Sequence, residues 1–115
     1  MKETAKTIQK WHEESFPDAT LDGQLGKLQE EIKEYMDAKT DEEKLFELAD
    51  MAIVVMGIRR FDEKHAKELI FMVYENASED GFDMTELWDA IQKKMEQNRK
   101  RKWTKKNGLY KHTKQ

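Results

Sequence analysis

The sequence predicts an all-α protein, a bundle of four to five helices, from three observations. Apolar residues recur at intervals of three and four along most of the 115-residue chain. No strand-like alternation extends beyond the ambiguous apolar run 53–55, which lies inside a helical period. Capping residues precede several of the periodic stretches. The length is that of one domain, and the lean composition, 37% hydrophobic against 39% charged, predicts an oligomer that buries its remaining apolar faces between copies.

The first helix is predicted over residues 3–15, because Ala5, Ile8, Trp11 and His12 share one face and Pro17 disfavours helix at the residue before it. Trp11 is most simply a core residue, and the alternative is a surface on which a nucleobase stacks. His12 is predicted on the surface, with contact to a ligand as the alternative.

The second helix is predicted to begin after a cap at Thr20 and to end near residue 38. By the 100° step of a helix, Glu31 lies at the edge of its apolar stripe, Glu34 lies further round, and Glu30 points away. Glu31 is therefore the best-placed candidate ligand of this helix. The alternative is a solvated charged face, with lysines at 27 and 33 nearby.

The third helix, predicted from a capping box at Thr40 and Glu43 to about residue 60, contains the stretch LFELADMAIVVMGI at 45–58. A helix that is apolar on nearly every side is buried, yet Glu47 and Asp50 lie within it at i and i+3. A buried carboxylate is costly unless it is paired or bound to a metal ion. Metal binding is the predicted role of these two acids, and ion pairs with another helix are the alternative.

A fourth helix is predicted over 61–77, and a fifth begins at a capping-box-like pair, Asp83 and Glu86. The apolar face of the fifth helix continues into Lys94, Asn98 and Arg101, which suits a phosphate site or a solvated basic helix end. Residues 93–115 hold ten Lys or Arg and one acid, a net charge of +9. Since the whole chain has −3, −12 remains for the rest. The last residues, 103–115, show no periodicity and are predicted to be a tail that is either flexible or becomes ordered on contact.

Oxygen ligands alone indicate Mg²⁺, with Mn²⁺ possible, held by carboxylates and completed by substrate phosphates. The chain has no cysteine, which excludes disulfides and thiolate sites. It also lacks a Walker-type loop, Rossmann glycines and the Glu-x-x-His motifs of di-iron bundles.

The spacing of Glu30, Glu31 and Glu34, followed by Glu47-x-x-Asp50, resembles the signature of the MazG-type all-α nucleoside triphosphate pyrophosphohydrolases. The start, IQKWH with FP beyond it, is similar to the first helix of that family. The end, KxxxNRxRKW from residue 94, resembles a smaller, often phage-encoded branch described as dATP/dGTP pyrophosphohydrolases.

The resemblance implies a MazG-like domain over residues 1–104, a basic tail over 105–115, and work as a homodimer or homotetramer. It implies hydrolysis of a nucleoside triphosphate, a purine deoxynucleotide such as dATP or dGTP, to the monophosphate and diphosphate. The residues that it implies fall into three groups. The magnesium ligands are Glu31, Glu34, Glu47 and Asp50, with Glu30 as an accessory catalytic acid. The triphosphate contacts are Lys94, Asn98 and Arg101. Trp11 stacks on the base.

Two other functions remain open from the sequence. The +9 segment suits a helical protein that binds nucleic acid, although motifs that read base edges are absent. The second is a bundle without catalytic activity that only assembles with a partner. Such a protein would keep the apolar stripes but would not need four acids at the same i, i+3 spacing on two helices. The expected location is the cytoplasm of a bacterial or phage-infected cell, since neither a membrane span nor a signal-peptide pattern is found in the sequence.

Overall fold

The structure is a computed structural model that describes residues 2–101 and the backbone of 103–106 and 109–112. It contains five helices and one antiparallel strand pair within these residues. The helices are α1 (Ala5–Ser15), α2 (Leu21–Asp37), α3 (Asp41–Ile58), α4 (Glu63–Glu79) and α5 (Met84–Lys100). The all-α bundle predicted from the sequence is thus confirmed at the level of its five helices.

Helix α3 is the centre of the fold, and α1, α2, α4 and α5 all pack against it. Every residue from 51 to 58 is buried, as expected for a run with no polar side chain. Burying one Leu, Ile or Met side chain contributes roughly 1.5–3 kcal/mol, so this single helical stretch supplies much of the stabilisation by the core. Asp50 directly precedes this run, and Glu47 lies about one turn before its start.

The helix starts follow the predicted capping chemistry closely. The carboxylate of Asp83 accepts from the backbone N–H of Glu86, and the Glu86 side chain accepts in return, which confirms that capping box. At Thr40 the pattern is only half formed. Its hydroxyl accepts from the Glu43 N–H, but the Glu43 carboxylate accepts from the backbone N–H of Lys39 instead.

The C-terminal segment contains a strand pair that the sequence analysis did not predict. Strands β1 (Trp103–Lys106) and β2 (Leu109–His112) pair in antiparallel register, with Trp103 opposite His112 and Lys105 opposite Tyr110. The sequence shows no alternation of apolar and polar residues here, since two lysines are adjacent in β1 and two apolar residues are adjacent in β2. The pair spans the predicted boundary between residues 104 and 105, and β2 approaches α2.

None of the helices within the described residues is both long and apolar enough to cross a membrane.

Candidate metal centre

Three carboxylates from two adjacent helices meet on one side of the bundle. Glu31 and Glu34 extend from α2 and Glu47 from α3, and one oxygen from each lies within 4.8 Å of the other two. The i, i+3 spacing on α2 places both of its acids on the same face, and α3 packs directly against that helix. The structure therefore brings together three of the four residues predicted as metal ligands.

Two oxygens of this cluster are buried without a partner. Oε2 of Glu31 and Oε2 of Glu47 have no hydrogen-bond partner among the described residues. The Glu31 side chain is only 8% exposed. Buried polar atoms are nearly always satisfied, and an unsatisfied charged oxygen is more costly than a neutral one. These two atoms therefore point to a ligand that donates positive charge, and a divalent cation fits them.

The cluster also alters the proton affinity of its members. Burial, and then the charge of Asp50, raises the pKa of Glu31 to about 8. The same two causes raise the pKa of Glu47 to about 7. Without a bound cation these carboxyl groups hold protons near neutral pH, and a cation that binds them has to displace those protons.

Asp50, the fourth predicted ligand, lies beside the cluster but has a different partner. Its Oδ2 is 3.3 Å from Nζ of Lys94 on α5, and this ammonium also lies 5.3 Å from the ring centroid of Phe46. Burial raises the pKa of Asp50, and Lys94 opposes that shift. Asp50 thus forms an ion pair with another helix, which was the alternative to metal binding in the sequence analysis. Its charge nevertheless raises the pKa of Glu31 and of Glu47.

Lys27 lies at the acidic cluster, although the sequence analysis considered it only as part of a solvated charged face of α2. Its Nζ lies 3.4 Å from Oε1 of Glu31 and 3.8 Å from Oε2 of Glu30. Glu30 is exposed at the rim of the cluster, as expected for an accessory acid and equally for a solvated one. The i, i+4 spacing from Lys27 to Glu31 was the signal that could have placed this lysine at the site.

The predicted phosphate contacts on α5 are spread along that helix. Lys94 pairs with Asp50, beside the acidic cluster, and its side chain is 20% exposed. Asn98 is buried, with Nδ2 3.8 Å from Sδ of Met95, whereas Arg101 is exposed at the C-cap.

The aromatic residues of α1 lie in the core. Trp11 is 9% exposed, and its ring meets that of Phe16 edge-on with 5.3 Å between the centroids. Trp11 is therefore a core residue, as the simpler of the two interpretations predicted. The prediction of a surface His12 is wrong, because His12 is buried and its Nδ1 lies 2.9 Å from the Arg60 guanidinium. Burial lowers the pKa of His12 to about 4.

Comparison with known proteins gives no match, since no protein-family model, curated protein or solved structure matches this chain. The resemblance to MazG-type enzymes consequently remains a prediction from sequence motifs.

Proposed function

We propose that the protein is a Mg²⁺-dependent nucleoside triphosphate pyrophosphohydrolase of the MazG type. The reaction converts a (d)NTP and water to the (d)NMP and diphosphate, with dATP or dGTP as the substrate that the motif resemblance favours. One observation carries the proposal. Glu31 and Glu47, from two different helices, each direct a buried and unpartnered carboxylate oxygen into a cluster that also contains Glu34.

The donor set suits a hard divalent cation. Carboxylate oxygens without nitrogen or sulfur ligands favour Mg²⁺ or Mn²⁺ over Zn²⁺ or copper. Glu31, Glu34 and Glu47 would hold the ion, and Asp50 would join them where its pairing with Lys94 is released. When bound, the cation polarises a phosphoryl oxygen and lowers the pKa of a coordinated water. Glu30, an exposed acid that pairs with Lys27, would then serve as the accessory acid that accepts a proton from water.

The cationic end of α5 supplies the counter-charge for a polyphosphate. Lys94 is next to the cluster, and Arg101 lies seven residues further, about 10 Å along the helix axis at 1.5 Å per residue. A chain of phosphate groups that begins at the cluster could extend along this helix. Asn98, buried between them, is better placed to support the helix than to contact phosphate.

Nucleic-acid binding is the less favoured function. The +9 charge of residues 93–115 supports it. However, three cations of this segment already have acidic partners, since Lys94 pairs with Asp50, Arg99 forms two short contacts with Glu3, and Lys100 pairs with Glu96. Such pairs reduce the positive field that a nucleic-acid backbone would meet.

We also propose that the protein works in the cytoplasm as a homodimer or homotetramer. The support for an oligomer is the exposure of large apolar side chains, because Phe71 is 68% and Met36 is 75% exposed in the single chain. Light scattering of the wild-type protein and of Phe71→Glu would test whether either surface is covered by a second copy.

The enzymatic proposal is tested by diphosphate release from the eight standard NTPs and dNTPs, with Mg²⁺, with Mn²⁺ and with EDTA. We expect metal-dependent release, greatest with a purine dNTP, that is lost in Glu31→Gln and in Asp50→Asn. Asp37→Asn, an exposed acid at the end of α2, is the matched control and should retain activity. Release from no nucleotide, or release that Glu31→Gln leaves intact, would refute the proposal.

A further inference from the structure

We propose that Lys27 is an exchangeable counter-ion and phosphate-binding residue of this site. In the metal-free protein its ammonium lies beside Glu31 and Glu30, and once a cation occupies the carboxylates it binds a phosphate group of the substrate. The inference rests on the proposed function and adds a residue that neither the motif pattern nor the resemblance assigned to substrate.

The geometry of Lys27 is that of a loosely held cation. Its distances of 3.4 Å to Glu31 and 3.8 Å to Glu30 exceed the 2.7–2.9 Å that is typical of a charge-assisted hydrogen bond. The side chain is 30% exposed, so the ammonium reaches both solvent and the buried carboxylate. A lysine has three donors and a flexible stem, and can therefore change partners without movement of the backbone.

The charges around the cluster are in excess of what its two lysines neutralise. The four predicted ligands and Glu30 face two lysines there, which leaves three negative charges when all of them are ionised; the members are Glu30, Glu31, Glu34, Glu47, Asp50, Lys27 and Lys94. A single divalent cation offsets two of these three charges. The two ammonium groups then lose part of their electrostatic attraction to the carboxylates, and the additional negative charge of a polyphosphate compensates them.

This exchange predicts opposite effects on two ligands when the charge of Lys27 is removed. A cation alone should bind more tightly, because one positive charge is gone and a Glu31 oxygen is released. A phosphate ligand should bind more weakly, because its own counter-charge is gone. A lysine that only stabilised the helix surface would change neither affinity.

The test is isothermal titration calorimetry on the full chain, first with Mg²⁺ alone and then with inorganic pyrophosphate in saturating Mg²⁺. The variants are Lys27→Met, Lys27→Arg and, as matched control, Lys33→Met, which removes an exposed lysine of the same helix. Titration at about pH 9 limits competition from protons at the carboxylates.

For Lys27→Met we expect a Mg²⁺ Kd lowered about threefold to tenfold and a pyrophosphate Kd raised about tenfold, the scale of a partly exposed charge contact. Lys27→Arg should stay within about threefold of wild type for pyrophosphate, because it keeps the charge. Lys33→Met should match wild type. Lys27→Gln replaces Lys27→Met if the latter does not fold.

Each other outcome overturns the inference in a recognisable way. Tighter Mg²⁺ binding with unchanged pyrophosphate affinity would show that Lys27 neutralises the acids without contacting phosphate. Unchanged values for both ligands would show a surface lysine. A wild-type protein that binds no Mg²⁺ and releases no diphosphate would refute the proposed function itself, whereas normal activity with normal pyrophosphate binding in Lys27→Met would refute only the role of Lys27.

Discussion

Glu31 and Glu47 face one another across the contact between α2 and α3, and each has one buried oxygen without a hydrogen-bond partner in the described part of the chain. Two carboxylates this close cannot both be ionised at low cost unless a cation or a proton lies with them. Helix α3 is fixed in the core by its apolar run, and α2 packs along it, so the two groups have little freedom to separate. The fold therefore maintains a site that favours bound positive charge.

Magnesium should stabilise the metal-free protein. A ligand that binds only the native state adds about 2.7 kcal/mol at a hundredfold excess over its Kd, which corresponds to an increase of several degrees in Tm. We expect a saturable increase with MgCl₂ in differential scanning calorimetry. The increase should be lost in Glu31→Gln and in Glu47→Gln, because each removes a ligand charge.

Two controls separate this effect from general salt stabilisation. NaCl at matched ionic strength should produce a much smaller increase in Tm, and Asp37→Asn should respond to Mg²⁺ like the wild type. An equal increase in Glu31→Gln and wild type would show that the cation binds elsewhere.

The free energy of unfolding of the metal-free protein should fall as the pH rises from about 6.5 to about 8. In this range folded Glu31, with its pKa of about 8, retains a proton that the unfolded chain, with a pKa of 4.5, has already lost. The native state then binds more protons than the unfolded state, so stability decreases with pH. Urea denaturation at several pH values in EDTA measures this slope.

The histidine opposes this decline below pH 6.5. His12 has a folded pKa of about 4 against 6.5 when unfolded, so its contribution is present above pH 6.5 and is lost as the pH falls towards 4. Between pH 4.5 and 6.5 it offsets part of the decline that the raised pKa values of Glu31 and Glu47 cause, so the fall in stability should be steepest just above pH 6.5. Glu31→Gln should remove most of the decline above pH 6.5, and saturating Mg²⁺ should reduce it in wild type. A decline that persists unchanged in Glu31→Gln would contradict the assignment.

The sequence was sufficient for the helices and for most of the acidic cluster. Five periodic stretches, three of them with predicted caps, correspond to the five helices, and the i, i+3 pairs on α2 and α3 predicted which acids share a face. These features are local, because a helix fixes the relative positions of residues three or four apart. The partners across helices depend on tertiary packing, so Asp50 could not be assigned to Lys94 from spacing alone.

The burial of His12 in α1 likewise could not be predicted from the local sequence. His12 occupies the apolar face of its helix, yet a polar side chain there can lie at the protein surface or in the core. Its burial depends on Arg60, which donates to the carbonyl oxygen of Phe16 and lies against the histidine ring. That arginine is 48 residues away in the chain, and no local pattern connects the two.

Gly57→Ala should destabilise the protein although alanine is the better helix former. A Cβ at this position would lie 2.5 Å from Nε2 of Gln24 and 2.8 Å from the ring of His12. The glutamine can move aside, but the contact with Arg60 restrains the histidine. Overpacking costs about 1–3 kcal/mol and exceeds the helix-propensity gain of about 1 kcal/mol.

Gly26→Ala is the matched control for this substitution. A Cβ at Gly26 would meet no atom within 4 Å, so the helix-propensity gain should remain, about 0.5–1 kcal/mol of added stability. Urea denaturation of the two variants should therefore shift the midpoint in opposite directions. Equal shifts of the same sign would show that helix propensity outweighs the crowding at Gly57.

The N-terminal segment should depend on an ion pair between buried Glu3 and partly exposed Arg99 of α5. Oε2 and Oε1 of Glu3 lie 2.6 and 2.8 Å from Nε and Nη2 of Arg99, and Gln92 bonds the Glu3 backbone. Glu3→Gln keeps the shape but removes the charge, and should cost about 1–3 kcal/mol, the range of hydrogen bonds to charged groups. Arg99 lowers the pKa of Glu3, so this stabilisation is present above pH 4.5 and is lost as the pH falls through the lower folded pKa.

The comparison variant is Glu96→Gln, since Glu96 forms an exposed pair with Lys100 at 3.5 Å on the same helix. Exposed pairs of this kind contribute about 0–1 kcal/mol, so its urea midpoint should hardly move. At pH 3 the difference between wild type and Glu3→Gln should shrink, because protonation removes the charge that the substitution removes. If the two variants lose equal stability at pH 7, the bidentate contact of Glu3 does not anchor the N-terminus, and the packing of α1 on α3 holds it instead.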